Sequence, residues 1–295
     1  MFSIDPSSFN HKYTTLGGFK YHYIEEGNSE GPTLLLIHGF PDFWFGWRYQ
    51  IRHLAAQGYH VLAIDNLGGG ETDVPKCVGL DVQPYRSKNL AKNIVELLDQ
   101  LHVDKAIIVG HDCVGNPHRP PTAEYFGTEE YVKENPAFIY IPFLETPESD
   151  DFYYSNVAQM MSRMFGKNTS DDKIGTGDGT TDKDVQFYID TFTKSTFHGL
   201  LNYYRSFRLN HEDELPFVGK PYVVPSLLMV IQNDVILNPA YVAGIPQTCF
   251  VDLEQVEIKQ GTHFVLTENP EGVNAELDKY LAKLVARRII KSPKV

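Results

Sequence analysis

The sequence predicts an α/β fold with a mostly parallel central sheet that is flanked by helices. Three short apolar runs have the length and composition of strands buried on both faces: TLLLIHG (33–39), YHVLAID (59–65) and KAIIVG (105–110). Helical patterns separate them, and strands that alternate with helices favour a parallel sheet with right-handed crossovers. A chain of 295 residues can hold one large domain of this kind.

The first crossover helix is predicted over residues 46–58. Gly58 ends the pattern, and the apolar residues recur at helical spacing: Trp47, Ile51, Leu54 and Ala55. Before it, FKYHYIEEG (19–27) alternates apolar and polar residues, as a half-buried strand does. The Gly-rich stretch NLGGGETD (66–73) predicts a loop after the second buried strand.

The second crossover helix is predicted over residues 87–103, with an apolar face formed by Leu90, Ile94, Leu97, Leu98 and Leu101. The sheet is expected to resume with PSLLMVIQND (225–234) and QTCFVDLEQV (247–256). A last helix is predicted over residues 270–289, and its inward face should consist of Val273, Leu277, Tyr280, Leu281 and Leu284.

Residues 117–220 differ from both flanks, because they are rich in Pro, Tyr, Phe, Asp and Thr. Within them, KIGTGDGTTDKD (173–184) predicts a polar loop. We interpret residues 117–220 as a helical lid, or cap, inserted into an α/β core. The core would then consist of residues 1–116 and 221–295.

The acidic composition disfavours several classes of partner. A net charge of −12 and a pI of about 5.3 give no attraction to phosphate backbones or anionic lipid, and no Lys/Arg cluster reverses this locally. No apolar stretch approaches the roughly 20 residues that a membrane span needs. We predict no nucleic-acid partner and no membrane span, and the sequence leaves open whether the chain forms a homo-oligomer.

Cys77, Cys113 and Cys249 are too few and too scattered to predict a disulfide framework or a zinc site. The eleven histidines are scattered, and no HExxH motif occurs among them. The N-terminus lacks the basic start and apolar run of a signal peptide. A reducing, cytoplasmic location is the expectation.

The strand KAIIVG runs directly into His111 and Asp112. α/β-Hydrolases present their nucleophile on a tight turn at such a place, and here the candidate is the carboxylate of Asp112, since the pattern GxSxG does not occur at this position. Downstream, Asp234 ends a predicted strand, and His263 lies on a loop after the next one. The order nucleophile, acid, base is that of α/β-hydrolases. Imidazole suits the base because its pKa lies near neutrality, and the acid orients it.

HGFPDFWFGWRYQI (38–51) closely resembles a segment of the epoxide hydrolases, as do the strand, Gly-rich loop and helix that follow it. With the Gly-His-Asp turn, the resemblance extends from about Tyr13 to Leu284. It implies the α/β-hydrolase fold with an inserted helical lid. It also implies an oxyanion hole formed by the backbone amides of Phe40 and Cys113, with a cis bond after Phe40.

Two lid segments resemble those that carry the epoxide-polarising tyrosines of that family. PAFIYIPFLETPE (136–148) implies Tyr140, and FHGLLNYYRSF (197–207) implies Tyr204. The implied reaction converts a small apolar epoxide and water to a vicinal diol. Asp112 would form an ester with the substrate, and water activated by His263, which Asp234 orients, would hydrolyse it. The resemblance implies no cofactor.

The segment after Asp112 departs from the family pattern. The family has a helix and a further strand there, whereas this chain passes directly into NPHRPPT (116–122), and four prolines within Pro117–Pro136 prevent a long helix. A helix, a strand and their connections amount to roughly 25 residues that are absent. We expect an open strand edge, an uncovered apolar face, and low solubility or stability.

Three functional hypotheses therefore stay open at the level of sequence. The chain is an epoxide hydrolase with a shortened segment, a haloalkane-dehalogenase-like hydrolase that uses the same Asp112, or a non-catalytic relative. Dehalogenases hold the halide with Trp side chains, one of them directly after the nucleophile, where this chain has Cys113. This difference favours the first hypothesis over the second.

Overall fold

A computed structural model describes residues 3–77, 81–112, 121–167 and 174–293. Its strands are β1 (His11–Leu16), β2 (Phe19–Gly27), β3 (Thr33–Ile37), β4 (His60–Ile64), β5 (Ala106–Gly110), β6 (Ser226–Ile231) and β7 (Leu253–Ile258). Its α-helices are α1 (Arg48–Ala56), α2 (Ser87–Gln100), α3 (Thr128–Glu134), α4 (Ile141–Leu144), α5 (Glu148–Ser155), α6 (Val157–Phe165), α7 (Asp182–Ser195), α8 (His198–Arg205), α9 (Phe207–Glu214), α10 (Pro239–Ala243), α11 (Val265–Glu268) and α12 (Pro270–Ala286).

The described strands form two sheets rather than one. The first contains five strands in the order β1-β2-β4-β3-β5, and the second pairs β6 with β7. β3 pairs parallel with both β4 and β5, and β6 pairs parallel with β7. β2 runs antiparallel to β1 and to β4, so the arrangement is mixed at its N-terminal edge. The predicted α/β architecture is confirmed, but the single central sheet is interrupted.

β1 is a strand that sequence reasoning missed. It forms a hairpin with β2, in which Leu16 pairs with Phe19 across Gly17 and Gly18. Both glycines have positive φ angles, 56° and 86°, which a side chain would disfavour. A Gly-Gly pair between two alternating segments is a hairpin signal, so this strand could have been predicted.

The two sides of the first sheet differ in burial. Every residue of β3 and of β4 is buried, as predicted. The prediction that KAIIVG is also a fully buried strand is wrong, since β5 has no buried residue and Ile108 is 54% exposed. β5 pairs with β3 on one edge, and no described strand pairs with its other edge. The expected open edge therefore lies at β5.

The helices around the sheets largely follow the predictions. The segment predicted as one helix over 46–58 is a 3-10 turn at Trp44–Trp47 followed by α1, and α12 buries the five residues that its spacing predicted. The strand predicted over 247–256 begins only at Leu253, because Gln247–Cys249 form a 3-10 turn after Pro246. In the described part of the chain, no helix is long and apolar enough to cross a bilayer.

Helices α3 to α9 all lie between β5 and β6 in the chain. Helices α3 to α8 contribute buried residues to a hydrophobic cluster that also contains Phe43, in the segment that follows β3. There the ring of Phe43 lies 5.0 Å from that of Tyr188 and 5.5 Å from that of Phe187, both on α7. This packing fixes the helices against the end of the sheet where the candidate residues lie.

Candidate active site

Asp112 lies on a strained turn just past the end of β5. Its φ angle is 60°, in the left-handed region that non-glycine residues rarely occupy. Strain of this kind clusters at functional sites. A Cβ on Gly39 would lie 2.4 Å from the Cβ of Asp112, so only glycine allows the turn after β3 to approach this closely. The carboxylate is only 11% exposed.

The turn after β3 supplies a hydrogen bond to Asp112. The backbone amide of Phe40 donates to Asp112 Oδ2 at 2.8 Å. The bond between Phe40 and Pro41 is cis, as expected. This donor therefore points at the oxygen of the candidate nucleophile, as an oxyanion-hole amide would. Cys113, the second predicted donor, lies outside the described residues.

The structure brings His263 between two carboxylates. Its Nδ1 lies 2.9 Å from Asp234 Oδ2, and its Nε2 lies 3.8 Å from Asp112 Oδ2. The second oxygen of Asp234 accepts from the amides of Ile236 and Leu237, at 2.7 and 2.9 Å. Asp234 is thereby held in one orientation, and it fixes Nδ1 of His263 as the donor nitrogen.

Charges within this group shift all three pKa values. Burial by itself would lower the pKa of His263, but the hydrogen bonds and charges of Asp112 and Asp234 outweigh it and raise that pKa to about 10. Burial would raise the pKa of each carboxyl group, but the contact with His263 outweighs it and lowers both. These shifts favour an imidazolium that is paired with two carboxylates.

His111 is a site residue that sequence reasoning did not single out. Its Nε2–H donates to the backbone carbonyl of His263 at 2.8 Å, and its own amide donates to Ile37 at 3.2 Å. Burial lowers the pKa of His111, which favours the neutral ring. This side chain ties the His263 loop to the turn that carries Asp112. Its position directly before the candidate nucleophile was the available signal.

Asp42 is a second residue that was missed. It is buried and accepts hydrogen bonds from the Tyr188 hydroxyl at 2.9 Å and from the Phe43 amide at 2.8 Å. Burial, and to a smaller extent the charge of Asp112, raise the pKa of Asp42 to about 7. An acidic residue inside the aromatic run FPDFWF was the signal.

Of the two predicted lid tyrosines, Tyr204 belongs to the buried hydrophobic cluster that also contains Phe43, and Tyr140 packs against this cluster. Tyr204, on α8, is buried, and its ring lies 5.5 Å from that of Phe40. Tyr140, just before α4, is half-buried and packs against Phe138 at 6.4 Å between ring centres. The structure therefore places Tyr204 beside the residue that contacts Asp112, and Tyr140 against the same cluster.

Sequence comparisons show which known proteins this chain is similar to. A family model described as the alpha/beta hydrolase fold matches residues 32–116. The chain is 29% identical over 321 aligned residues to bifunctional epoxide hydrolase 2 of Rattus norvegicus, covering 94% of this chain and 56% of that protein. It is 27% identical to epoxide hydrolase 3 of Siraitia grosvenorii, covering 90% and 96%. The chain thus spans little more than half the length of its mammalian relative.

Solved structures give the same result. An epoxide hydrolase A from Mycobacterium thermoresistibile superposes with a TM-score of 0.78 at 25% identity, covering 93% of this chain and 98% of that one. An epoxide hydrolase from Vigna radiata gives a TM-score of 0.79 at 24% identity, covering 95% and 100%, which supports the fold. The fold of this chain is the α/β-hydrolase fold. Most of this chain is therefore similar to epoxide hydrolases of the α/β-hydrolase superfamily.

Proposed function

We propose that this chain hydrolyses epoxides to vicinal diols through a covalent ester on Asp112. The observation that carries the proposal is His263, which contacts Asp234 through Nδ1 and faces Asp112 through Nε2. In the first step an oxygen of Asp112 attacks an epoxide carbon and the carbon–oxygen bond of the ring breaks. Tyr140 and Tyr204 would donate hydrogen bonds to the departing oxygen, and one of them its proton. The product is a hydroxyalkyl ester.

Ester formation would change His263 from an acid to a base. The charge of Asp112 contributes to the raised pKa of His263, and esterification removes that charge. The imidazolium would then release its proton to the tyrosinate left by the first step. Neutral His263, held by Asp234, could now accept a proton from water.

The second step would hydrolyse the ester. Water attacks the carbonyl carbon of the Asp112 ester while His263 takes its proton. The Phe40 amide, and by resemblance that of Cys113, would hold the oxyanion that forms. When this intermediate collapses, the diol oxygen leaves with the proton from His263. The carboxyl group of Asp112 then passes its remaining water-derived proton to the neutral His263, which restores both the Asp112 carboxylate and the imidazolium. One oxygen of that carboxylate now comes from water.

The proposal also covers the lid and the class of substrate. We propose that residues 117–220 form a lid, which the helices α3 to α9 and the contact of Tyr204 with Phe40 support. The substrate would be a small apolar epoxide, because the rings around Phe40 are aromatic. The cytoplasmic location and the homo-oligomer stay predictions.

The covalent route is tested by hydrolysis in oxygen-18 water. After several turnovers, mass spectrometry of the peptide that contains Asp112 should show label in its side chain, because water attacks the ester carbonyl. Label in the diol with an unlabelled Asp112 would mean direct attack by water and would contradict the proposal. Halide release from haloalkanes, without diol formation from epoxides, would favour the dehalogenase alternative.

A trapping variant sharpens this test. In His263→Gln the first step keeps its nucleophile while the second loses its base, so the mass of the protein should rise by one epoxide per chain. His53→Gln on α1, which pairs with Asp278 outside the site, is the matched control and should show no such adduct. A folded wild-type protein without turnover, together with no adduct in His263→Gln, would favour the non-catalytic alternative.

A further inference from the structure

Tyr153 on α5 has a buried ring and an unused hydroxyl. The residue is 7% exposed, yet among the described residues nothing hydrogen-bonds to its hydroxyl. The hydroxyl oxygen itself is not fully enclosed, in contrast to the buried and unpaired hydroxyl of Tyr280, so a ligand can reach it. The neighbouring Tyr154 is 59% exposed, so water can serve its hydroxyl. Tyr153 thus offers an accessible, unpaired hydroxyl on the side of α5 that packs against Phe40 and Phe197.

Tyr153 also lies close to the reacting groups. The ring of Phe40 has tyrosines on two sides, with Tyr153 at 5.7 Å and Tyr204 at 5.5 Å between ring centres. The backbone amide of Phe40 is the group that donates to Asp112. Phe197 lies 5.0 Å from Tyr153 and completes the aromatic surroundings. Tyr153 is thus separated from Asp112 by a single residue, Phe40.

We propose that Tyr153 is a specificity-determining residue whose hydroxyl donates a hydrogen bond to an uncharged carbonyl oxygen of the substrate. The inference rests on the proposed epoxide chemistry, and it narrows the substrate class to epoxides that carry a ketone, ester or amide. A carboxylate is a poor fit, because an unpaired charge among aromatic rings is costly. Arg205 on α8 already pairs with Asp150 at 2.8 Å.

Protonation is compatible with this role. Burial raises the pKa of Tyr153 to about 12, so the hydroxyl keeps its proton throughout the neutral range. Because the Tyr153 hydroxyl stays protonated, it favours ligands that place an acceptor oxygen next to it. A ligand without such an oxygen would leave the hydroxyl unpaired, which gives the site a reason to discriminate.

A binding experiment tests the inference without requiring turnover. The probes are benzylacetone and butylbenzene, which have similar size and differ by one ketone oxygen, titrated by ligand-observed NMR. Tyr153→Phe keeps the ring, so we expect about 10-fold weaker binding of benzylacetone and unchanged binding of butylbenzene. Tyr154→Phe, on the exposed side of α5, should change neither. Equal affinity of wild type and Tyr153→Phe for the ketone, or no ketone binding at all, would overturn the proposal.

Kinetics separate this inference from the proposed function. The substrates are the epoxides of allylacetone and of the terminal hexene, which have equal chain length. Tyr153→Phe should raise KM about 10-fold for the ketone-bearing epoxide, with kcat unchanged and the plain epoxide unaffected. An equal fall in kcat on both substrates would overturn the proposal, because Tyr153 would then act on the epoxide oxygen. Diol formation from neither epoxide, with ketone-selective binding intact, would count against the epoxide chemistry alone.

Discussion

Strands β3 and β4 are packed very differently from β5 and β6. We call the gap between β5 of the first sheet and β6 of the second sheet the break. β3 and β4 are buried at every position, whereas β5 has no buried residue and β6 buries only its last two, Val230 and Ile231. All four strands have the apolar composition of strands covered on both faces. The apolar composition of β5 and β6 is therefore typical of strands that are covered on both faces, whereas the described residues leave both strands partly exposed.

The candidate site spans this break. Asp112 follows β5, whereas Asp234 and His263 follow β6 and β7 of the second sheet. No described strand joins the two sheets, and side chains connect them instead, through the bond from His111 to the carbonyl of His263. The alignment with the Rattus norvegicus relative runs over 321 positions, more than the 295 residues of this chain, so residues of that relative have no counterpart here. A shortened segment after Asp112 accounts for both observations.

The largest expected effect comes from cutting the link between the base and its orienting acid. Asp234→Asn should leave the fold intact but lower kcat by about 10²- to 10⁴-fold, because the amide no longer fixes the tautomer or balances the charge of His263. Asp278→Asn, which removes the partner of His53 outside the site, is the control and should retain activity. Diol formation at the wild-type rate by Asp234→Asn would show that Asp234 contributes nothing to the chemistry.

Much of the site could be predicted because it depends on residue order and on the ends of strands. Asp112, Asp234 and His263 follow successive apolar runs, and carboxyl ends of parallel strands lie at the same edge of a sheet. In the structure, His263 lies between the carboxylates of Asp112 and Asp234. Tyr204 was identified only by its neighbours in the sequence, yet it lies beside Phe40.

Other features depend on tertiary packing that no local pattern records. The exposure of Ile108 could not be read from its own strand, which has the composition of a buried one. Tyr153 was one of 17 tyrosines, and only the fold distinguishes its unpaired hydroxyl from the exposed hydroxyl of Tyr154. The raised pKa of Asp42 likewise arises from its burial beside Tyr188 in the folded chain. The exposure or burial of these three side chains depends on which parts of the fold pack against them, and the local sequence does not show this.

An intermediate effect is expected from equal truncations on the two sides of the sheet. Leu35→Ala in β3 and Ile108→Ala in β5 remove the same number of carbon atoms. Leu35 is fully buried, so its loss should lower the free energy of unfolding by about 2–5 kcal/mol. Ile108 is 54% exposed, so its loss should cost less than about 1 kcal/mol. Urea unfolding measures both values.

The outcome would decide whether the edge of β5 is open in solution. Equal losses for the two variants would mean that something covers Ile108, such as a second copy of the chain. In that case Ile108→Lys should dissociate the assembly in sedimentation experiments. If the edge is open, the same substitution should instead reduce aggregation, because a charge on an edge strand opposes pairing with other chains.

The smallest expected effect is a pH dependence of stability that arises at the break itself. The pKa of His263 in the folded chain, about 10, lies above its ordinary value of 6.5. Its pairing therefore stabilises the fold fully below pH 6.5 and is lost as the pH rises through about 10. Asp112 and Asp234 have lowered pKa values, so their contribution is present above 3.8 and is lost as the pH falls through the folded-state values.

Unfolding of wild type and His263→Gln in urea, at a pH below 6.5 and again above 10, isolates this contribution. The stability advantage of the wild type should be largest at the lower pH and should shrink at the higher one. Asp42, whose pKa is raised to about 7, also titrates in this range, but both proteins contain it and its effect cancels in the difference. A wild-type advantage that stays constant with pH would mean that His263 is neutral at rest. The contacts of His263 with Asp112 and Asp234 would then be those of a neutral imidazole ring rather than of an imidazolium.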